Sequence, residues 1–358
     1  MALFPDVLPL PPPGPLEGRA AWYGPDLEKR RDWIYEFDTR DKAEIEQAVR
    51  AVRAANVPFG EISPATFPLP TLGPKLLAFL EEVLHGRGFV FMRGFPTDRY
   101  TTEETAAGYL GIGSYFGPFR SQNSKGHLLG HVKDLGYDIK DPNTRYYQTT
   151  RQLDYHTDSA DLVALICLKP SKSGGESRIV SSITMYNEIL KRRPDLLPEL
   201  FHPFATDRRG EIPQGMLPWF DAPVFQWFEG ELTTIYSGQY IRSAQVNFPE
   251  LPRLTPKEIE ALDYFDELSD APDLRLQMEF RPGDIQIINN HTTLHSRTDF
   301  ENWPEPERHR HLLRLWIAPL GARDLPEWFA PRYGSTVQGQ RGGIVTAETT
   351  LKFVLEAE

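Results

Sequence analysis

Residues 162–168 read Leu-Val-Ala-Leu-Ile-Cys-Leu, an apolar run with no polar interruption. Val163, Leu165 and Cys167 alternate with Leu162, Ala164 and Ile166, which predicts a strand buried on both faces. Gly88–Phe95 predicts a second strand and Glu176–Ser181 a third, entered from the turn Lys172-Ser173-Gly174-Gly175. Ile285–Ile288 follows the turn Pro282-Gly283-Asp284, and Leu232–Ile241 reads as a strand with Tyr236 and Tyr240 on one face. In Arg308–Ile317 the alternation sets Arg310, Leu312, Arg314 and Trp316 on one face, and His311, Leu313, Leu315 and Ile317 on the other.

Helical spacing is confined to a few segments. Asp41 caps a run to about Ala54 with Ile45, Val49 and Val52 inward, and Pro74 starts another with Leu77, Leu80 and Leu84 inward and Gly86 as its stop. A third is expected around 102–116, and a fourth from Ser182 to Arg193, ended by Pro194. Thr255-Pro256-Lys257-Glu258 is a capping box ahead of Ile259, Leu262 and Phe265, all placed inward. Short strands between turn signals, with few helices among them, predict a mainly β protein with flanking helices, an antiparallel jelly-roll barrel. The division expected is an N-terminal arm and flanking helices over 1–84, the barrel over 85–325 and a C-terminal tail over 326–358.

The remaining stretches are irregular. Prolines 5, 9, 11, 12, 13, 15 and 25 predict an extended surface arm. Residues 117–151 turn polar and read as a loop over the barrel mouth, with His127 and His131 a weak metal pair. The aromatics of 211–230 read as packing in preference to a second lid. After Pro319 the chain is rich in proline and glycine, and Gly334–Gly343 is read as mobile. Gly111-Ile112-Gly113 lacks the third glycine of a dinucleotide fingerprint.

Composition narrows the class. A net charge of −11 argues against a nucleic-acid or anionic-membrane surface. The single cysteine, Cys167, excludes an intrachain disulfide and fits a reducing cytoplasm. No apolar run approaches a membrane span, and the N-terminus lacks a signal-peptide pattern. The reading is a cytoplasmic protein with small-molecule partners.

Candidate chemistry centres on His156-Thr157-Asp158, just ahead of the apolar strand. Residues two apart on a strand face one way, so imidazole and carboxylate would be presented together. With a distant second histidine, this donor set suits iron(II) with open positions. Two arginines on one face of an apolar strand are costly to bury without anionic partners, and a small dicarboxylate is such a partner.

Taken together, His156-Thr157-Asp158, Gly174-Gly175-Glu176-Ser177, Pro282-Gly283-Asp284 with Asn290, His295, and Arg310-His-Leu-Leu-Arg314 resemble the taurine dioxygenase (TauD/TfdA) family of iron(II)/2-oxoglutarate-dependent oxygenases. The resemblance covers roughly residues 85–325. It implies a double-stranded β-helix fold, iron(II) held by His156, Asp158 and His295, and 2-oxoglutarate as cosubstrate. It also implies that Arg310 binds the distal carboxylate of 2-oxoglutarate with Ser177 beside it, and that Arg314 lies near the cosubstrate or substrate carboxylate. Arg308 is the alternative register. The implied reaction consumes dioxygen, releases succinate and carbon dioxide, and oxidises a C–H bond of a small organic substrate. A carboxylate at Asp158 favours hydroxylation, demethylation or desaturation over halogenation. Tyr155, Gln152, Tyr236 and Asn290 are candidates for substrate contact or for orienting the ligands. The aromatics of 219–240 hint at a substrate larger and less anionic than a sulfonate, with Arg314 available for an acidic group. A hydrolytic zinc enzyme would not explain two inward arginines, and a catalytically silent binding protein need not keep all three metal ligands.

Overall fold

The computed structural model describes residues 11–12, 14–138 and 144–358. The first ten residues of the proline-rich arm and Pro13 lie outside the described residues.

Leu162–Lys169 is a central strand of an eight-stranded sheet. Ile285–Asn289 and His311–Ile317 flank it, both antiparallel. Outward from these lie Phe89–Arg93 and Ile34–Glu36 on one side, and His127–Lys133 and Lys352–Phe353 on the other, with Phe119–Arg120 also pairing on His311–Ile317. The apolar-on-both-faces pattern is explained by what covers each face. Leu162, Ala164, Ile166, Leu313, Leu315 and Ile317 pack in one core with the helices Thr39–Ala54, Leu72–His85 and Thr102–Ser114. Val163, Cys167, Leu312 and Trp316 pack in another, with Ile179, Leu276 and Met278 of a second, four-stranded sheet. Each such side chain, fully buried, stabilises the fold by about 1.5–3 kcal/mol before conformational entropy is set against it.

The second sheet is antiparallel, in the order Leu276–Met278, Ser177–Ser181, Thr293–Arg297, Leu153–His156. Here the expected jelly-roll barrel is corrected: among the described residues both sheets are open, and no ladder closes either of them. The small sheet's outer strands have only three and four residues and end against irregular chain. Gly24 of the arm donates its N–H to Leu274 O beside one edge. At the other, a single bridge joins His156 to Ser237. Edges covered by loops are protected from further pairing without closure.

Two of the passages between the sheets are short, at 157–161 and at 290–292. Asn290 ties the crossings together: its Oδ1 accepts from the Asp158 N–H at 3.0 Å and its Nδ2 donates to Ala160 O at 2.8 Å.

Several local readings change. Asp38 caps the first long helix, and Asp41 is its third residue, closing the capping box. Leu77 and Ile259, placed inward by periodicity, are exposed. The strand expected over Leu232–Ile241 stops at Thr234 and a helix runs from Gly238 to Asn247, so Tyr236 and Tyr240 do not share a face. His127 and His131 lie on a strand and form no metal pair: His127 meets Glu358, and His131 meets His311. The glycine-rich stretch read as mobile is anchored. Arg341 is fully buried against Asp161, Gly343 donates to Ser159 O, and Lys352–Phe353 adds a strand to the large sheet. Among the described residues no helix is long and apolar enough to cross a membrane.

Candidate metal centre and cavity

In the small sheet His156 stands opposite His295, and their rings are 4.2 Å apart, centre to centre. Asp158 lies past the strand end, on the first crossing, yet its carboxylate reaches both imidazoles. His156 Nε2 is 3.7 Å from Asp158 Oδ1, and His295 Nε2 is 3.8 Å from Asp158 Oδ2. One ligand atom from each of the three residues falls within 4.8 Å of the others, the spacing a single ion requires.

The surrounding bonds fix this arrangement. His156 Nδ1 donates to Asp154 O at 2.8 Å; a carbonyl only accepts, so Nε2 is left as the lone-pair donor. Asp158 is held by Asn290 through its N–H and by the Trp316 indole N–H, 2.8 Å from Oδ2. Burial alone would raise the Asp158 carboxyl, but Arg314, His295 and His156 outweigh it and bring it down to about 2. Burial, and then the neighbouring His156, pulls His295 down to about 3, and burial lowers His156 as well. Two neutral imidazoles and an ionised carboxylate are the protonation state that metal binding needs.

Arg314 runs along the same wall. Its Nε donates to Gln122 Oε1 at 2.7 Å, its Nη1 lies 3.6 Å from Asp158 Oδ2, and it stacks on Tyr147 and Trp316. Gln122 fits because residue 130 is glycine: a Cβ there would sit 2.3 Å from Gln122 Oε1.

Arg310 is only 4% exposed, and its Nη1 has no partner. No carboxylate lies within ion-pair distance of it among the described residues. Burial brings its pKa down to about 10. Its guanidinium lies over Phe300, as does that of Arg297, and a Cβ at Gly175 would press to 3.1 Å from its Nε. Ser177 Oγ reaches across the space between the sheets to Gln286 Oε1, at 3.3 Å. Arg308 is on an outer turn, stacked on Trp303.

A cavity of about 310 Å³ opens onto His156 and Asp158. Tyr155 and Arg314 line it; Gln152, Tyr236 and Asn290 do not. Gln152 is exposed and bonds to Asp154, whereas buried Tyr236 donates its hydroxyl to Asp266 at 2.6 Å. The sequence reading missed Gln122, Arg145, Tyr147, Arg208 and Arg332, all in the cavity wall. Trp316 carried a signal, since it shares the strand face of the two arginines.

Two imidazoles and one carboxylate, gathered at the mouth of a cavity between two β-sheets, define a mononuclear non-haem iron(II) oxygenase centre. The model of the taurine catabolism dioxygenase TauD, TfdA family matches residues 51–316, and the chain belongs to that family of iron(II)/2-oxoglutarate-dependent dioxygenases. It is 30% identical over 323 residues to FR-33289 synthase of Streptomyces rubellomurinus, spanning 87% of this chain and 93% of that protein. It is 31% identical over 338 residues to taurine hydroxylase-like protein SAT17 of Stachybotrys chartarum, spanning 88% and 85%. Among solved structures, asparagine oxygenase in complex with Fe(II), 2S,3S-3-hydroxyasparagine and succinate superposes with a TM-score of 0.63 at 18% identity, over 80% of this chain and 93% of that one. At that identity the likeness is one of fold.

Proposed function

We propose that the protein hydroxylates a C–H bond of a small organic substrate, with Arg310 receiving the distal carboxylate of 2-oxoglutarate. The observation that carries the cosubstrate role is the Arg310 guanidinium itself, buried, its Nη1 without a hydrogen-bond partner and, among the described residues, no carboxylate within ion-pair distance. A buried cation in that state costs several kcal/mol unless an anion answers it, and a carboxylate matches its planar fork. Ser177 lies in the same space between the sheets and adds a hydroxyl donor, and Arg314 guards the cavity side of Asp158.

The donor set fits iron(II): His156 and His295 offer neutral nitrogens and Asp158 a carboxylate, with one ligand atom from each within 4.8 Å of the others. When bound, iron(II) and 2-oxoglutarate supply the oxidant, through conversion of the keto acid to succinate and carbon dioxide with dioxygen. The chain's own work is positioning. Asp154 O and the Trp316 indole hold His156 and Asp158 in place, so that the site needs little rearrangement to load. Tyr147, Tyr155 and Phe220 give the cavity wall an apolar part against which a substrate can displace water. The relatives named for taurine-like hydroxylation and for FR-33289 synthesis support oxidation of a small molecule.

The deciding experiment loads the protein with iron(II) and 2-oxoglutarate and measures succinate against a panel of small organic acids. Succinate released in step with a hydroxylated product is the expected result. Product with no succinate would refute the assignment.

A further inference from the structure

Two arginines in the cavity wall lack an acidic partner. Arg208 donates from Nε to Leu217 O at 3.1 Å and from Nη2 to Pro331 O at 2.5 Å. Arg332 donates from Nη2 to Thr157 O at 3.2 Å, and its Nε is buried without a partner. Their guanidinium carbons lie 5.0 and 5.1 Å from the centre of the Phe220 ring, so they are no more than about 10 Å from each other. Among the described residues neither forms an ion pair. Burial, followed by the charge of Arg332, pulls the pKa of Arg208 down to about 10. The other arginines of the wall are answered: Arg145 by Glu211 at 3.0 Å, Arg242 by Asp266 at 2.9 Å and Arg314 by Asp158 at 3.6 Å. Asp207, held by Ser243, Asn247 and the Arg209 N–H, lies beyond ion-pair distance of both guanidiniums.

Main-chain carbonyls satisfy hydrogens of these guanidiniums but leave both charges standing. Two like charges sharing one aromatic ring repel unless an anion sits with them, and a single carboxylate would offset only one. We infer that Arg208 and Arg332 form the subsite for a doubly charged phosphoryl or phosphonyl group on the substrate. This rests on the cavity being the substrate site of the oxygenase. Because Arg332 contacts the carbonyl of Thr157, between two metal ligands, the anionic group is seated close to the reacting carbon and the substrate is small. Of the aromatics that suggested a less anionic substrate, Phe220 and Tyr240 line the cavity, whereas Phe225 and Tyr236 are core and Trp219 stacks on Phe248.

The test is calorimetric titration of methylphosphonate, methyl phosphate, methanesulfonate and acetate into the full-length protein loaded with iron(II) and 2-oxoglutarate, without oxygen. At an alkaline pH, where methylphosphonate has lost both protons, methanesulfonate has the tetrahedral shape with one charge fewer and isolates the charge requirement. The expected result is that a dianion binds at least about tenfold tighter than methanesulfonate or acetate. Whichever dianion binds better distinguishes a C–P linkage from an ester. Arg208→Gln and Arg332→Gln should each lower that affinity at least about tenfold, with Arg332→Lys losing less than Arg332→Gln. Melting curves establish that each variant is folded, and should Arg332→Gln not fold, Arg208→Gln decides alone. Equal binding of methanesulfonate and methylphosphonate, or undiminished dianion affinity in Arg208→Gln, overturns the subsite. Titration of 2-oxoglutarate into the same wild-type protein is read separately. Its failure would count against the oxygenase reading while leaving the dianion comparison to judge the arginines.

Discussion

The Trp316 indole N–H lies 2.8 Å from Oδ2 of Asp158, on a strand of the large sheet two residues past Arg314. Asp158 itself sits outside regular structure, so this bond does for the carboxylate what strand pairing does for the two histidines. Trp316→Phe keeps most of the packing and removes the donor. Iron(II) affinity in that variant is expected to fall about 10- to 100-fold, measured by titration, with the melting temperature little changed. Asp158→Ala should abolish turnover.

Arg310→Ala should remove most 2-oxoglutarate affinity, and Arg310→Lys should restore little of it, because an ammonium lacks the planar fork. Arg308→Ala should bind 2-oxoglutarate as the wild type does, since Arg308 is half exposed on an outer turn. Ser177→Ala should cost about 1–2 kcal/mol for a bond to a charged group. A loss in Arg308→Ala with none in Arg310→Ala would shift the register by two residues.

Acid should destabilise the protein well above the range in which carboxylates titrate. His291 donates to Asp161 at 2.7 Å, and burial lowers it to about 4; His311, buried and beside His131, is lowered to about 3. Each is neutral in the fold and takes up its proton more readily when unfolded. The stability this gives is fully present above about pH 6.5, the unfolded histidine value, and is lost as pH falls from there towards about 4. Urea midpoints of the metal-free protein should therefore drop steadily between about pH 7 and 5. A flat profile there would contradict neutral, buried imidazoles.

Arg341 contributes two contacts to Asp161, Nε at 2.8 Å and Nη2 at 2.7 Å, with both side chains wholly buried. Arg341→Ala leaves that carboxylate without its cation, and a loss of about 3–5 kcal/mol is expected in urea unfolding. Asp161→Asn combined with Arg341→Met should recover part of it, because no lone charge remains.

What the sequence made legible was local chemistry. His156 and Asp158 two apart, and His295 after the Pro282-Gly283-Asp284 turn, stood out because metal donors need particular residue types. Arg310 and Arg314 stood out because charges interrupt an apolar strand. Closure of the sheets was not legible: alternation tells which face is buried, not whether edges meet, and here loops cover them. Tyr236 was misplaced because Thr233, Thr234 and Ile235 favour a strand right up to the point where the chain turns into a helix. Arg208, Arg332 and Arg341 gave no signal at all, since two lie in irregular segments and Arg332 in the one-turn helix Ala330–Tyr333, with partners far away in sequence that follow no period.

The anchoring of the C-terminal segment has a consequence for biosynthesis. The metal ligands end at His295, but the cavity wall includes Arg332, Gly343 and Ile344, and the buried charge of Asp161 waits for Arg341. A nascent chain that has emerged only as far as the last ligand lacks the strand His311–Ile317 and leaves the Asp161 carboxylate without its arginine. The centre is thus completed after the strands that carry its ligands, so a ribosome stalled over this last segment would leave a sheet without a protected pocket.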